Sequence, residues 1–365
     1  MALQTPTATA AAPAPAPTSA DGRPLVEVKD LTVRFVSREA TVQAVNGVSF
    51  EMAPGEVLGI IGESGSGKSV TMRALLRLLP RRRAVISGHM RVGEHDILAL
   101  SDRQITEVRG STISMIFQEP MTALDPVYTV GDQIAETVLR HEGCSRKAGM
   151  ARALELLQVV KVPSAERRLK AFPHELSGGL RQRAMIALAL SCRPSLLLAD
   201  EPTTALDATV QIQVLILLRK LQKELGMGMI FVTHDLSVAA QIADKVAVMY
   251  AGRIVEYGSV RDVLLRPSHP YTIGMLASTV HGQARDADIE AIPGSPPDLR
   301  RLPPGCSFAP RCRYADAECR SAVPPATAVA PGRLVRCFKA GNLDRDTRQV
   351  HSAQARSGGG PQCTS

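Results

Sequence analysis

Residues 62–69 read GESGSGKS, and each residue type at that spacing has its own task toward a phosphate. Gly62, Gly65 and Gly67 let backbone N–H groups converge on phosphate oxygens, a helix N-terminus behind them adds a positive dipole, Lys68 supplies a point charge, and the Ser69 hydroxyl can hold Mg²⁺. Glu63, Ser64, Ser66 and Val70 complete the loop and first helical turn as nucleotide-binding candidates. Further along, LLLADEP places Asp200 and Glu201 at the end of an apolar run. Asp200 would there reach the Mg²⁺ shell, and Glu201 would stand where phosphoryl transfer needs a base or a group that orients water. A third stretch, ELSGGLRQR over 175–183, opens a helix with Ser177, Gly178 and Gly179. These offer a hydroxyl and free N–H groups, a second anion-binding surface. One nucleotide hardly needs two such cradles from one chain.

The elements that must position these residues follow from the apolar pattern. LVEVKDLTVRFV and VQAVNGVSFEM alternate apolar and polar residues, as antiparallel strands do. EVLGIIG, then a helix-forming stretch from Gly67 to Leu79, gives a strand, a loop and a helix. From about Asp96 to Leu176 the pattern is mainly helical, with GDQIAETVLRH and MARALELLQVV carrying apolar residues at helical spacing. SLLLADEP, MGMIFVTHD and KVAVMY read as strands separated by helices such as Asp207 to Leu225, which implies a largely parallel sheet covered on both faces. GSPPDLRRLPPG marks a linker before a cysteine-rich stretch.

With 365 residues, 45% hydrophobic and 21% charged, the chain has the composition of a soluble globular protein with room for one large domain and an appendage. No apolar run reaches the roughly 20 residues of a spanning helix. The first 24 residues, rich in Ala, Pro and Thr, lack a basic segment before an apolar core and read as a flexible extension rather than a secretory signal. The compartment is then reducing, which argues against structural disulfides. The net charge of +8 would suit nucleic acid or an anionic surface, but the densest runs, RRR at 81–83 and AERRLK at 165–170, are short and read as solvated edges, so no nucleic-acid partner is expected. Four of the seven cysteines, Cys306, Cys312, Cys319 and Cys337, fall in one region with the spacing C-x5-C-x6-C-x17-C. That spacing is poor for a zinc ribbon and matches no common ferredoxin pattern, so by itself it leaves metal ligation and simple burial both open. Cys144, Cys192 and Cys363 fit no pattern and read as ordinary thiols.

Taken together, the motifs resemble those of ATP-binding-cassette ATPases. LSGGL is similar to the family's signature loop, with Leu180 where glutamine is commonest. Gln118 in MIFQEP resembles the glutamine that senses Mg²⁺ and the attacking water, and His234 in FVTHD the switch histidine that contacts the γ-phosphate. Asp207 in TALD resembles the loop that crosses between subunits, and Phe35 the aromatic that stacks on adenine, worth about 1–3 kcal/mol. The resemblance implies a head-to-tail dimer in which Ser177 and Gly179 of one subunit complete the phosphate site of the other, which accounts for the second cradle. Three stretches narrow it to the peptide-importer branch: FQEPMTALDPVYTVGDQI at 117–134, similar to the segment shown to the membrane partner; RPSHPYTIGMLAS at 266–278, similar to an extension beyond the ATPase core; and PPGCSFAPRCRYADAEC with Cys337. In that branch the corresponding cysteines ligate a four-iron four-sulfur cluster, so the resemblance implies one on Cys306, Cys312, Cys319 and Cys337.

The expectation is an α/β protein: a P-loop ATPase core over 25–275 with an antiparallel β subdomain and a helical subdomain at about 96–176, a small cysteine-containing lobe over 276–340, and tails at 1–24 and 341–365. ATP, Mg²⁺ and the cluster are the implied cofactors. Two transmembrane permease subunits, a second homologous ATPase or a second copy, and indirectly an external solute-binding protein are the implied partners, with the chain peripheral on the cytoplasmic face of the membrane. The alternatives are the same role for nickel or another small solute, a soluble cassette ATPase, and a P-loop GTPase, against which LSGGL and the missing N-K-x-D weigh.

Overall fold

The computed structural model describes residues 22–204, 206–278, 291–340 and 343. Strands β1 (Val26–Val36) and β2 (Thr41–Met52) pair antiparallel, with Val26 opposite Met52. They are followed by β3 (Val57–Ile61), α1 (Lys68–Leu75), β4 (Ala84–Val92) and β5 (His95–Asp96). Next come α2 (Asp102–Ser111), β6 (Ile113–Ile116), α3 (Pro120–Ala123), α4 (Val130–Glu142), α5 (Arg146–Val159), α6 (Ala165–Arg168) and α7 (Gly178–Ala189). The chain continues through β7 (Leu196–Asp200), α8 (Ala208–Leu225), β8 (Gly228–Thr233), α9 (Leu236–Ile242), β9 (Lys245–Tyr250), β10 (Arg253–Ser259), α10 (Val260–Leu265) and α11 (Pro270–Ala277). The C-terminal segment adds α12 (Ala317–Ser321), β11 (Thr327–Ala330) and β12 (Arg333–Val335).

Two sheets result. One is antiparallel, in the order β2-β1-β4-β5; the other runs β11-β12-β10-β9-β3-β8-β7-β6, with β9, β3, β8, β7 and β6 parallel. Strands β3, β7 and β8 are buried at every residue, as strands covered on both faces must be. Their side chains alternate between two cores. Leu196, Leu198, Ile230 and Val232 join the core under the antiparallel sheet, whereas Leu197, Ala199, Met229 and Phe231 join the core under the helices.

Two sequence expectations change. β6 lies inside the stretch expected to be helical at about 96–176 and is the outer strand of the parallel sheet; its four residues are all buried, too short a run for periodicity to separate strand from helix. The helix expected to reach Leu79 ends at Leu75, because Arg77 takes a left-handed φ of 50° and the Leu78 N–H bonds back to the Arg73 carbonyl. The cysteine segment packs onto the core at several points. β12 pairs with β10, the linker residue Leu299 accepts a bond from the Gln43 N–H at 3.1 Å, and buried Glu256 on β10 accepts from the N–H groups of Ser268 and His269 and from Arg333 on β12.

Candidate nucleotide site

Because β6, β7, β8 and β3 are parallel neighbours, their carboxyl ends emerge side by side, the edge at which open α/β sheets bind ligands. β3 delivers residues 62–69, β8 His234, β7 Asp200 and Glu201, and β6 Gln118. Residues as far apart in sequence as Gly62 and His234 thereby face one another.

The phosphate loop is held by glycine where nothing else fits. Gly62 has φ 155° and a Cβ there would lie 2.2 Å from the Met249 carbonyl oxygen; Gly67 has φ 101° and its Cβ would lie 2.4 Å from that of Ala44. Gly65, at φ 77°, faces open space. Ser64 and Gly65 are exposed, Ser66 is buried with its hydroxyl unpartnered, and Val70 packs partly against the core beneath the antiparallel sheet. Lys68 is 5% exposed and its Nζ donates to the carbonyls of Gly62 at 2.7 Å and Glu63 at 2.9 Å. Burial lowers its pKa, against the opposing fields of Glu201, Asp200 and Glu63.

Across the loop, the Ser69 hydroxyl donates to Asp200 Oδ1 at 2.8 Å. Asp200 is 1% exposed and burial raises its pKa, while its Oδ2 has no hydrogen bond and only the Arg73 guanidinium at 3.9 Å. A buried carboxylate oxygen left over beside a hydroxyl is the donor set that a hard divalent cation takes, so the residues fit Mg²⁺. Next to it, Glu201 Oε2 accepts from Thr204 Oγ1 at 2.8 Å and Gln118 Nε2 at 3.3 Å, and stands 3.4 Å from His234 Nδ1. Glu201 also holds a left-handed φ of 44°, a conformation that costs a side-chain-bearing residue roughly 1–2 kcal/mol and is kept where neighbours over-determine it.

The structure therefore brings Lys68, Ser69, Asp200, Glu201, Gln118 and His234 together. Sequence reasoning missed Thr204, three residues beyond Glu201, and Arg73, one helical turn beyond Ser69; each lies in a quoted motif or its flank, but neither side chain's direction is readable before the fold is known. The other candidates lie elsewhere on the chain. Phe35 is half-buried on β1, opposite Val42 and Ala84. Asp207 caps α8 by accepting from the Val210 N–H at 3.0 Å. Ser177 takes the N-cap position of α7 yet makes no side-chain capping bond, and a Cβ on Gly178 would meet no atom within 4 Å. A Cβ on Gly179 would come within 3.1 Å of Val210 on α8.

Cys306, Cys312, Cys319 and Cys337 line one small cavity together with His269 and Phe308. Burial raises the pKa of Cys306 and pushes Cys312 up to about 12 and Cys337 up to about 11, with the neighbouring cysteines adding to the shift. Among the described residues no group of three or more His, Cys, Asp or Glu side chains is placed to hold a single metal ion. Cys192 donates to the Thr137 carbonyl and Cys144 is half-buried, while Cys363 lies outside the described residues.

A phosphate loop, a buried Mg²⁺-type acid and a carboxylate poised beside it, all on parallel strand ends, define a P-loop nucleotide hydrolase. Residues 45–204 match the family described as "ABC transporter", and residues 255–319 match the "Oligopeptide/dipeptide transporter, C-terminal region". The chain is 50% identical over 315 residues to the oligopeptide transport ATP-binding protein OppD of Salmonella typhimurium, covering 86% of this chain and 93% of that protein. It is 46% identical over 315 residues to the dipeptide transport ATP-binding protein DppD of Bacillus subtilis, covering 86% and 94%. Among solved structures it resembles the ATP-binding cassette MJ0796 bound to ADP and Pi, a dimer, with a TM-score of 0.59 and 29% identity over 65% of this chain and 99% of that one. The chain belongs to the ABC transporter family of ATPases, in the branch that carries the oligopeptide/dipeptide transporter C-terminal region.

Proposed function

We propose that the chain is the ATP-hydrolysing subunit that energises import of oligopeptides or dipeptides through a pair of transmembrane permeases, working on the cytoplasmic face of the membrane. The observation that carries this reading is that a complete phosphoryl-transfer set at the strand ends shares one chain with a C-terminal region of the oligopeptide/dipeptide transporter type. ATP would lie on residues 62–70 with its adenine against Phe35; Ser69, Asp200 and Gln118 would hold Mg²⁺; Glu201 would orient the attacking water, Gln118 would sense it together with Mg²⁺, and His234 would contact the γ-phosphate. Catalysis of this kind is mostly positioning and charge neutralisation.

Ser177, Gly178 and Gly179 act in the site of a second cassette, either a homologous ATPase or another copy, with Asp207 at the crossing between them. Support comes from Ser177 being exposed at a helix start without a capping bond and Gly178 being open. The permease surface is the 117–134 segment, where Met121, Val127 and Tyr128 are 38%, 69% and 56% exposed. No helix among the described residues is long and apolar enough to cross a membrane. A solute-binding protein would deliver cargo to the permeases without touching this chain.

For the cysteines, the finer reading is a four-iron four-sulfur cluster on Cys306, Cys312, Cys319 and Cys337. Its support is their common cavity; thiolates that bind four separate iron corners stand further apart than ligands meeting at one ion. Protein prepared without oxygen is expected to be brown with about four irons per chain, as one such cluster requires; colourless, iron-free protein after attempted reconstitution overturns the cluster alone. The transport reading is tested by reconstituting the chain with its permeases in vesicles and measuring uptake of labelled di- and oligopeptides beside nickel. ATP-driven peptide uptake is expected, and nickel uptake without peptide uptake would move the assignment to a metal importer.

A further inference from the structure

Glu63, the second residue of the phosphate loop, is gripped from three sides. Its N–H donates to the Tyr271 hydroxyl at 2.9 Å, its carbonyl accepts from Lys68 at 2.9 Å, and its carboxylate receives both terminal nitrogens of Arg311, at 2.8 and 3.2 Å. The two partners stand 248 residues apart in sequence. The Arg311 side chain is 6% exposed and that of Glu63 29%, so the pair is largely withdrawn from water. Arg311 is itself fixed: its Nε donates to the Pro293 carbonyl at 2.8 Å, and its guanidinium lies 5.8 Å from the centre of the Tyr250 ring.

The backbone that presents Arg311 is equally constrained. Arg311 ends a single 3₁₀ turn, Ala309–Arg311, set between Cys306 and Cys312. Phe308, immediately before that turn, packs at 5.2 Å from the Tyr250 ring and 5.5 Å from that of Tyr271, the same tyrosine whose hydroxyl takes the Glu63 N–H. A side chain from the C-terminal segment is thus built into the wall of the phosphate loop, fixed by a two-pronged guanidinium geometry that lysine does not reproduce.

A carboxylate beside a site for a polyphosphate opposes binding unless its charge is met, and an unpinned Glu63 would also compete for Lys68. We propose that Arg311 is a positioning residue of the nucleotide site: by neutralising and pinning Glu63 it holds the start of the phosphate loop in place for the triphosphate, which makes the cysteine-bearing segment a working part of the ATP site. The proposal rests on the reading of residues 62–69 as that site.

The test uses the full chain and a fluorescent ATP analogue, with unlabelled ATP as competitor. Arg311→Met is expected to weaken ATP binding about tenfold, the scale of losing hydrogen bonds to a charged group. Arg311→Lys is expected to fall between, and the double variant Arg311→Met with Glu63→Gln to bind more tightly than Arg311→Met alone, because the unpaired carboxylate is gone. In the assembled transporter the same variants should raise KM for ATP more than they lower kcat. An arginine that only stabilised the fold would lower the melting temperature without changing the ATP affinity of the folded protein, so wild-type affinity in Arg311→Met overturns the proposal, as does affinity in the double variant no better than in Arg311→Met. If Arg311→Met does not fold, Arg311→Lys with and without Glu63→Gln makes the same comparison. Lys68→Ala separates the two readings: ATP binding at full strength in that variant overturns the site itself, whereas its loss with an inert Arg311 overturns only the link.

Discussion

Replacing Glu201 by Gln removes one charge and almost no volume from the centre of the site. In the wild type, Glu201 Oε2 is the acceptor for Thr204 Oγ1 at 2.8 Å and Gln118 Nε2 at 3.3 Å, with His234 Nδ1 at 3.4 Å. An amide oxygen at the same place can keep the Thr204 bond, so the loop should hold its shape, but it can neither take a proton from water nor orient it as a carboxylate does. General acid–base assistance is typically worth about 100- to 10,000-fold, or about 3–5 kcal/mol in the barrier. The phosphate side is built from other groups, Lys68 on the Gly62 and Glu63 carbonyls and Ser69 on Asp200, none of which bonds to Glu201. ATP affinity should therefore persist, and removing a negative charge from beside the γ-phosphate can only favour it. Phosphate release by the assembled transporter, measured beside equilibrium binding of the fluorescent ATP analogue, gives both numbers. Hydrolysis within about threefold of wild type would place the attacking water under another group's control, since that loss is well below what a general base supplies; loss of ATP binding would mean that Glu201 holds the loop together.

Mixing Ser177→Arg subunits with Lys68→Ala subunits should leave at most one composite site intact per dimer while each variant alone is inactive; if each alone hydrolyses ATP normally, the head-to-tail arrangement is wrong. Arg333→Met removes the cationic partner of the fully buried Glu256 carboxylate and leaves it the Ser268 and His269 N–H bonds, a loss of about 3–5 kcal/mol, and should loosen β12 in urea unfolding and limited proteolysis. Burial raises the pKa of Glu256, with bonds from its neighbours opposing. A carboxyl raised in the folded state binds its proton more tightly there than in the unfolded chain, so its penalty is present above the raised value and falls away as the pH is lowered through it. The Arg333→Met defect should accordingly shrink on acidification, and a defect that grows as the pH falls toward the ordinary carboxylate range would contradict this account.

The chemistry written into short stretches was legible because its causes are local. A phosphate loop works through glycines that permit particular backbone angles and a helix start that follows at once, so GESGSGKS announces itself wherever it folds. The apolar runs ending at Ile61, Asp200 and Thr233 likewise read as buried strands, and Asp207 and Ser177 stand at helix starts as their residue types require. β6 escaped because four buried residues, three of them apolar, carry no period that separates strand from helix.

What only the tertiary structure decided was adjacency. The order β3-β8-β7-β6 is not the order of the chain, and it alone brings Gln118, Glu201 and His234 beside the phosphate loop. β12 docks on β10 and joins the cysteine-bearing segment to the main sheet, and it is in this packed arrangement that Arg311 reaches Glu63. Such pairs leave no trace in spacing or periodicity, because neither residue shapes the other's local backbone. The contact exists only once burial of three apolar cores has fixed the distance between segments that the sequence keeps far apart.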